Sequence, residues 1–377
     1  MKLEQNNFHK SFKLNGVSFS SVDEIFDYTI GLSDEIHEFL QSWFSADKSI
    51  TVQTSGSTGI PKSILLKKEH ILNSAKATGN YFGLQENTTA LLCLSVKYIA
   101  GKLMLIRAIT LGWELDVIES TSNPLEKVSK QYDFSAMVPL QLENSLSKIN
   151  LIKKIIVGGG VVSKVLERKL KNVETVIYAT YGMTETITHI AVKKLNRINV
   201  IPNFYELLPD VQIYVDARNC LVIKALKVAD EIVFTNDVVQ IVSDTQFEWL
   251  GRFDNVINSG GIKLHPEKIE KALSKIISNR FFVAGKLDET LGEKLILIIE
   301  GNRKNLNFNE SELLKFEIPK EIYFVEKFLE TETKKIQRRK TLDLIKMKII
   351  ESIKTSILKI KHRYNHPLKD YFFLQKF

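Results

Sequence analysis

The 377-residue sequence predicts an α/β fold: a large N-terminal domain of β-sheets flanked by helices, then a small α+β C-terminal domain. Three observations predict it. Apolar runs of strand length alternate with amphipathic helical stretches over the first two thirds of the chain, the pattern of βα units on a largely parallel sheet. The texture then changes, because "EWLGRFDNVINSGGIKLHPEKIEKALSK" is turn-rich and leads into a helix that Pro266 opens. The length also leaves room for one large domain with a smaller companion. The boundary is expected between Gly251 and Asn255, giving domains 1–252 and 253–342 and a tail, 343–377.

In chain order, Ile50 to Gln53 and Ile64 to Leu66 read as short strands joined by a loop. "TALLCLSV", "WELDVIE", "FSAMVP", "IKKIIVGGG", "ETVIYATYG" and "EIVFTNDVV" follow as strands. Between them Lys68 to Tyr81, Ala100 to Leu111, Leu140 to Ser147 and Ser163 to Leu170 carry helical periodicity. After the boundary come the strands "FFVAGKL" and "KLILIIEG" and the basic segment "ETETKKIQRRK".

Composition excludes several classes. The formal charge is +8, but the excess collects in the last forty residues rather than in a stripe across the fold, which argues against a nucleic-acid partner. No run reaches the ~18 to 20 apolar residues of a membrane helix and no apolar leader follows "MKLEQNNFHK", so a cytoplasmic protein is expected. Cys93 and Cys220 lie in separate apolar strands and read as buried free thiols.

The chemistry concentrates in short polar segments. Thr54, Ser55, Gly56, Ser57, Thr58, Gly59 and Lys62 pack into one loop, a composition suited to polyphosphate because backbone N–H groups converge where no side chain intrudes. It is not a Walker A loop. Pro61 occupies the place of that motif's second glycine and has no N–H to offer. Tyr181, Gly182, Thr184 and Glu185 follow an apolar strand, where α/β proteins put ligand sites. Gly158, Gly159 and Gly160 end another strand and let a flat ring approach the backbone. Asp237, read as ending a third, can accept from sugar hydroxyls. Taken singly, each has a plain structural explanation: a turn, a helix cap, a solvated acid.

"TSGSTGIPK", "YGMTET", "TND", "GRFDNVINSGG" and "KIQR" together resemble, in order, the motifs of the acyl-adenylate-forming enzymes. The chain is short for that superfamily before its first motif. With "YIAGKLMLIRA" and "VPLQL" it is most similar to the compact o-succinylbenzoate CoA ligases of menaquinone synthesis. The resemblance implies a small, mobile C-terminal lid and three ligands: ATP with Mg²⁺, CoA and a carboxylic acid. It also implies two steps, acyl-AMP formation with release of pyrophosphate and then transfer to the CoA thiol. The Thr54 loop would hold the β- and γ-phosphates, Thr184 the α-phosphate and Glu185 the Mg²⁺. Tyr181 and Gly158–Gly160 would sandwich adenine, and Asp237 and Arg252 would fix the ribose. Lys335 would place its charge between the attacking carboxylate and the α-phosphate. Asp254 would be the hinge, and Ser259, Gly260 and Gly261 would line the pantetheine tunnel. Here the sequence departs from the family, with Lys334 where a glycine usually precedes the catalytic lysine.

For the acid itself, Tyr98, Lys102 and His189 are the candidates, since a second carboxylate asks for a cation or strong donors and a fatty acid does not. Adenylation of another aryl or acyl acid, for CoA or a separate carrier protein, is the alternative. Leu342, Ile345, Ile349, Ile353, Ile357 and Ile360 recur at helical spacing among lysines, a basic amphipathic tail suited to an anionic membrane surface or to self-association.

Overall fold

The structure is a computed structural model, and it describes residues 8–53, 63–198, 203–303, 305–308, 312–330 and 336–347. The chain divides into two units, Met1–Trp249 and Leu250–Phe377.

The first unit opens with the short strands β1 (Lys13–Leu14) and β2 (Val17–Ser18), then the helices α1 (Val22–Ile30) and α2 (Asp34–Phe44). Ser21 and Ser33 cap these helices by accepting from the Glu24 and Ile36 N–H groups. β3 (Ser49–Gln53) and β4 (Ser63–Lys67) pair antiparallel as expected, with Gln53 opposite Ser63. There follow α3 (Lys68–Phe82), β5 (Thr89–Leu92), α4 (Ile99–Leu111), β6 (Glu114–Val117), β7 (Tyr132–Met137), α5 (Pro139–Asn144), β8 (Ile152–Val157), α6 (Lys164–Lys169) and β9 (Val176–Gly182). The expected alternation therefore holds through β9, with Pro139 opening α5 at the position where a missing N–H costs nothing. Leu140 to Ser147 is not one helix, because a 3-10 turn over Leu146–Leu151 takes over from α5.

The parallel order is β1, β6, β5, β7, β8, β9. Beyond it the sheet is not parallel. β10 (His189–Lys194), β11 (Tyr205–Leu207), β12 (Gln212–Val215), β13 (Cys220–Lys224), β14 (Val233–Ser243) and β15 (Gln246–Arg252) extend it to thirteen strands in the order β9-β10-β11-β15-β14-β13-β12. β9 with β10, β10 with β11, β11 with β15, β12 with β13 and β13 with β14 all pair antiparallel; consecutive strands are joined by short connections, whereas β11 meets β15 only after the chain has passed through β12 to β14.

The main core packs α3 and α4 against the parallel half. Leu103 to Ile109 of α4 are all buried, Arg107 included, so this helix is enclosed on every side. Trp113 is fully buried and meets Phe134 edge to face at 5.5 Å. Cys93 and Cys220 are free and buried, as the sequence implied.

In the second unit β16 (Ile257–Ser259), β17 (Ile262–Leu264), α7 (Pro266–Leu273), β18 (Phe281–Asp288), β19 (Gly292–Glu300) and β20 (Glu321–Val325) form a five-stranded sheet with α7 packed against it. Residues 338–347 are helical. Leu342 and Ile345, the first two members of the tail's apolar stripe, pack on a cluster of this unit's own residues, Phe282, Ile296 and Ile298 of its sheet and Phe328 just after β20. Ile349 and the rest of the stripe lie outside the described residues.

Gly101 fixes α4 in place. A Cβ there would lie 2.3 Å from the Ser95 carbonyl oxygen and 2.9 Å from that of Leu94, both backbone atoms that cannot swing away. Gly101→Ala is expected to lower stability by about 1 to 3 kcal/mol. Gly31→Ala, at a helical φ of −86° with nothing within 4 Å, is expected to be neutral or to stabilise by about 0.4 to 1 kcal/mol. Urea denaturation of the two variants checks the contrast, and equal effects would show that α4 can shift.

Candidate active site

The site is built at the C-terminal ends of β8 and β9. The two strands are parallel with Val157 beside Ala179, so Gly158 to Gly160 leave the sheet alongside Thr180 and Tyr181. The Thr180 hydroxyl donates to Val157 O at 3.1 Å, which ties the two exits together, and the Gly158 N–H donates to Met137 O at 3.1 Å, which holds the β8 exit to the end of β7. A Cβ on Gly158 would meet that hydroxyl at 2.8 Å, and Gly159 has φ +76°. Gly158 and Gly159 thus meet local demands, while a Cβ on Gly160 would make only ordinary contacts with Pro139, and all three leave the backbone open to a flat ring.

Tyr181 and Gly182 are the last residues of β9, and Thr184–Thr186 form a 3-10 turn before β10 begins at His189. Gly182 stands opposite His189, and a Cβ on it would lie 2.1 Å from Thr188 O and 2.4 Å from His189 Cα. No other residue fits there. Ile187 has φ 64° and ψ −55°, and the Thr188 N–H donates to Thr186 O at 2.7 Å. That is a γ-turn of the rare strained hand, on a β-branched residue that is 2% exposed. Strain of this kind, about 1 to 3 kcal/mol, persists only where the surroundings over-determine it. Here it turns the chain sharply between the exposed Glu185 and the buried His189.

Asp237 lies within β14 rather than at a strand end, a correction to the sequence reading. It is nonetheless brought to Tyr181: the Tyr181 phenol donates to Asp237 Oδ2 at 2.8 Å and the Trp249 indole to Oδ1 at 3.0 Å. Tyr181 also packs edge to face on Phe247 at 5.2 Å, and Tyr205 stacks on Phe247 at 5.4 Å.

The acid candidates separate. Tyr98 precedes α4 and is 51% exposed. Lys102 gives its ammonium to Val96 O at 2.7 Å and Lys97 O at 3.3 Å and lies 5.2 Å from the Phe39 ring, with burial drawing its pKa down. His189 is buried; its Nδ1 shares a hydrogen bond of 3.2 Å with the Thr188 hydroxyl and its Nε2 has no partner among the described residues. Burial and, next, the Arg107 charge hold its pKa well below the ordinary value, so the ring is neutral.

Arg107 is the functional candidate that sequence reasoning missed. It is 3% exposed and donates only to the Thr188 hydroxyl, at 3.5 Å, with Nε unpaired and no carboxylate beside it among the described residues. Burial draws its guanidinium down to about 10, which leaves it charged at neutral pH. The available signal was a lone arginine inside the otherwise apolar run "LMLIRAITL".

In the second unit Arg252 Nη2 lies 3.8 Å from Asp254 Oδ2. Gly260 and Gly261, at φ +60° and +81°, are the two central residues of the tight hairpin between β16 and β17, with Ser259 opposite Ile262. Thr54 to Lys62, Lys334 and Lys335 lie outside the described residues. Arg338, three residues past Lys335, forks onto Glu270 at 2.8 and 2.7 Å.

Glycine-lined parallel strand ends beside an aromatic ring and a hydrogen-bonded carboxylate define a nucleotide-binding α/β enzyme. The model of the AMP-binding enzyme family matches residues 18–224, and the chain belongs to that family. A 2-succinylbenzoate–CoA ligase from Geobacillus sp. (strain WCH70) is 26% identical over 83% of this chain and 72% of its own length. The crystal structure of an acyl-CoA synthetase (AMP-forming)/AMP-acid ligase II-like protein from Dyadobacter fermentans is 38% identical, with TM-score 0.57 over 82% of this chain and 93% of that one. The o-succinylbenzoate coenzyme A synthetase of Bacillus subtilis, in complex with ATP and magnesium ion, shares the fold at TM-score 0.65 and 18% identity, over 77% of this chain and 69% of that one. As an AMP-forming ligase this chain uses MgATP as a substrate. Among the described residues there is no group of three or more His, Cys, Asp or Glu side chains that could hold a metal ion. No described helix is long and apolar enough to cross a membrane.

Because His189 is held neutral, the unfolded chain takes up a proton below about pH 6.5 that the folded chain refuses. Its stability contribution is therefore complete above that pH and declines as pH falls, by about 1.4 kcal/mol per unit. Urea denaturation at pH 7.0 and 5.5 should show a larger loss for wild type than for His189→Gln. Identical losses would mean that His189 protonates in the folded chain.

Proposed function

We propose that the chain couples o-succinylbenzoate to CoA, working in the cytoplasm. The observation that carries the choice of acid is Arg107: a buried guanidinium with no carboxylate partner among the described residues, linked through Thr188 to the strand-end loop. An isolated buried charge is costly, and an anionic ligand offsets that cost. O-succinylbenzoate has two carboxylates, one to be activated and one to meet Arg107, with the neutral His189 Nε2 beside it as a further polar contact. The names of the curated relatives support the same acid.

In the first step the free carboxylate attacks the α-phosphorus of ATP and pyrophosphate leaves, giving acyl-AMP. Both reactants are anions, so positioning and charge neutralisation carry the rate. Thr54, Ser55, Ser57, Thr58 and Lys62 hold the leaving phosphates, Thr184 the α-phosphate and Glu185 the magnesium of MgATP. Gly158–Gly160 and Tyr181 enclose adenine, while Asp237 and Arg252 take the ribose. Lys335 neutralises charge between carboxylate and phosphate. In the second step the CoA thiol attacks the acyl carbonyl and AMP leaves, after rotation of residues 253–342 about Asp254 brings Ser259, Gly260 and Gly261 to the pantetheine arm.

Pyrophosphate exchange tests the acid. O-succinylbenzoate should stimulate it far more than benzoate or a medium-chain fatty acid. Arg107→Gln should raise the KM for o-succinylbenzoate about 30-fold or more and leave that for benzoate little changed, as expected for truncating one partner of a buried charge pair. Equal effects on both acids would remove Arg107 from recognition. For the division of labour, Lys335→Ala should slow adenylation about 10²- to 10³-fold while thioester formation from supplied acyl-AMP stays near normal. Gly260→Leu should do the reverse, and parallel losses in both half-reactions would refute the scheme.

A further inference from the structure

We infer that Trp249 is a positioning residue for nucleotide recognition, holding the Asp237 carboxylate in the orientation that accepts the ribose hydroxyls. The inference rests on the proposed nucleotide site and extends it to a residue outside the family's motifs. Asp237 is 5% exposed, and its two oxygens are held separately, Oδ1 by the Trp249 indole at 3.0 Å and Oδ2 by the Tyr181 phenol at 2.8 Å. Its backbone is held too, since its N–H donates to the Thr235 hydroxyl at 3.0 Å and that hydroxyl donates to Leu221 O at 2.8 Å.

A carboxylate with one donor can still rotate about its Cβ–Cγ bond. Two donors on different oxygens fix its plane, and each carboxylate oxygen has more than one acceptor direction. Tyr181 alone would tie the carboxylate only to the ring assigned to adenine. Trp249 gives it an anchor on β15, next to Asp237's own strand, where the indole packs against the cluster of Ile190, Leu221 and Phe247. The indole N–H of a half-buried tryptophan commonly finds some acceptor. This one has found the acceptor that the ribose needs, so that base and sugar recognition are joined through Tyr181, Asp237 and Trp249.

The test is calorimetric binding of AMP, 2′-deoxy-AMP and 3′-deoxy-AMP to wild type, Trp249→Phe and Trp249→His, with thermal melts to establish folding. Wild type should prefer AMP to at least one deoxy analogue. Trp249→Phe should bind AMP about 10- to 100-fold more weakly and lose most of that preference. Trp249→His, which keeps a ring N–H, should recover part of it. Tryptophan emission should respond to AMP in wild type and lose most of that response in Trp249→Phe. Unchanged discrimination in a folded Trp249→Phe, or no discrimination by wild type, would overturn the inference. Neither result depends on the acid, so a failure of the o-succinylbenzoate assignment, read by pyrophosphate exchange, is seen separately.

Discussion

The Tyr181–Asp237 hydrogen bond is the constraint on which the nucleotide side of the site depends. Three strands separate β9 from β14 in the sheet order. On a flat sheet, four spacings of about 4.8 Å would leave the strands nearly 19 Å apart. The 2.8 Å contact between their side chains therefore requires the antiparallel half to curl upon itself. Tyr205, Phe247 and Tyr181 fill the inside of that curl. Curling is what allows residues from β8, β9, β14 and β15 to meet at one place although the chain visits them across some ninety positions.

Much of this was legible in the sequence, and what was not has identifiable causes. Parallel strands are buried on both faces over much of their length, as in "ALL" of β5 and "IIV" of β8, and these apolar runs make β5 to β9 legible. Strands such as β12, "QIYV", are short and largely exposed and carry too weak a pattern to be recognised. The helices α1 and α2 had a usable signal in Ser21 and Ser33, each followed by acidic residues in the first turn. Within the site, glycines and hydroxyls announced themselves by local chemistry. Asp237 was placed at a strand end because "TND" interrupts an apolar run; pairing with β13 carries the strand through it, as Val238 opposite Cys220 shows. Trp249 and Arg107 matter through partners distant in sequence, which a linear motif cannot display.

The second unit shows how a small fold can hold chemistry-bearing segments without a large core. The Arg338 fork onto Glu270 and the pairing of Glu330 with Ile336 brace the chain on both sides of 331–335. Both attach to elements of the same unit, α7 in one case and the segment after β20 in the other. At the start of the unit, the Asn255 side chain donates to Glu267 in the first turn of α7 at 2.6 Å, and the Glu267 carboxylate lies where a Cβ on Gly251 would be. Gly251 and Asn255 are thereby fastened to α7 within the second unit.

On the proposed assignment of Arg107, the contact at Gly101 has a consequence for the choice of acid. Arg107 lies six residues further along α4, about 9 Å up its axis. Gly101 resting on the Ser95 backbone holds α4 in place, so the position of the guanidinium beside Thr188 is set when the chain folds. On the proposed reading this makes α4 a ruler. Dicarboxylic acids would be sorted by the span between their two charges, and homologues one methylene too long or too short would be disfavoured by distance rather than by loss of affinity for the ring.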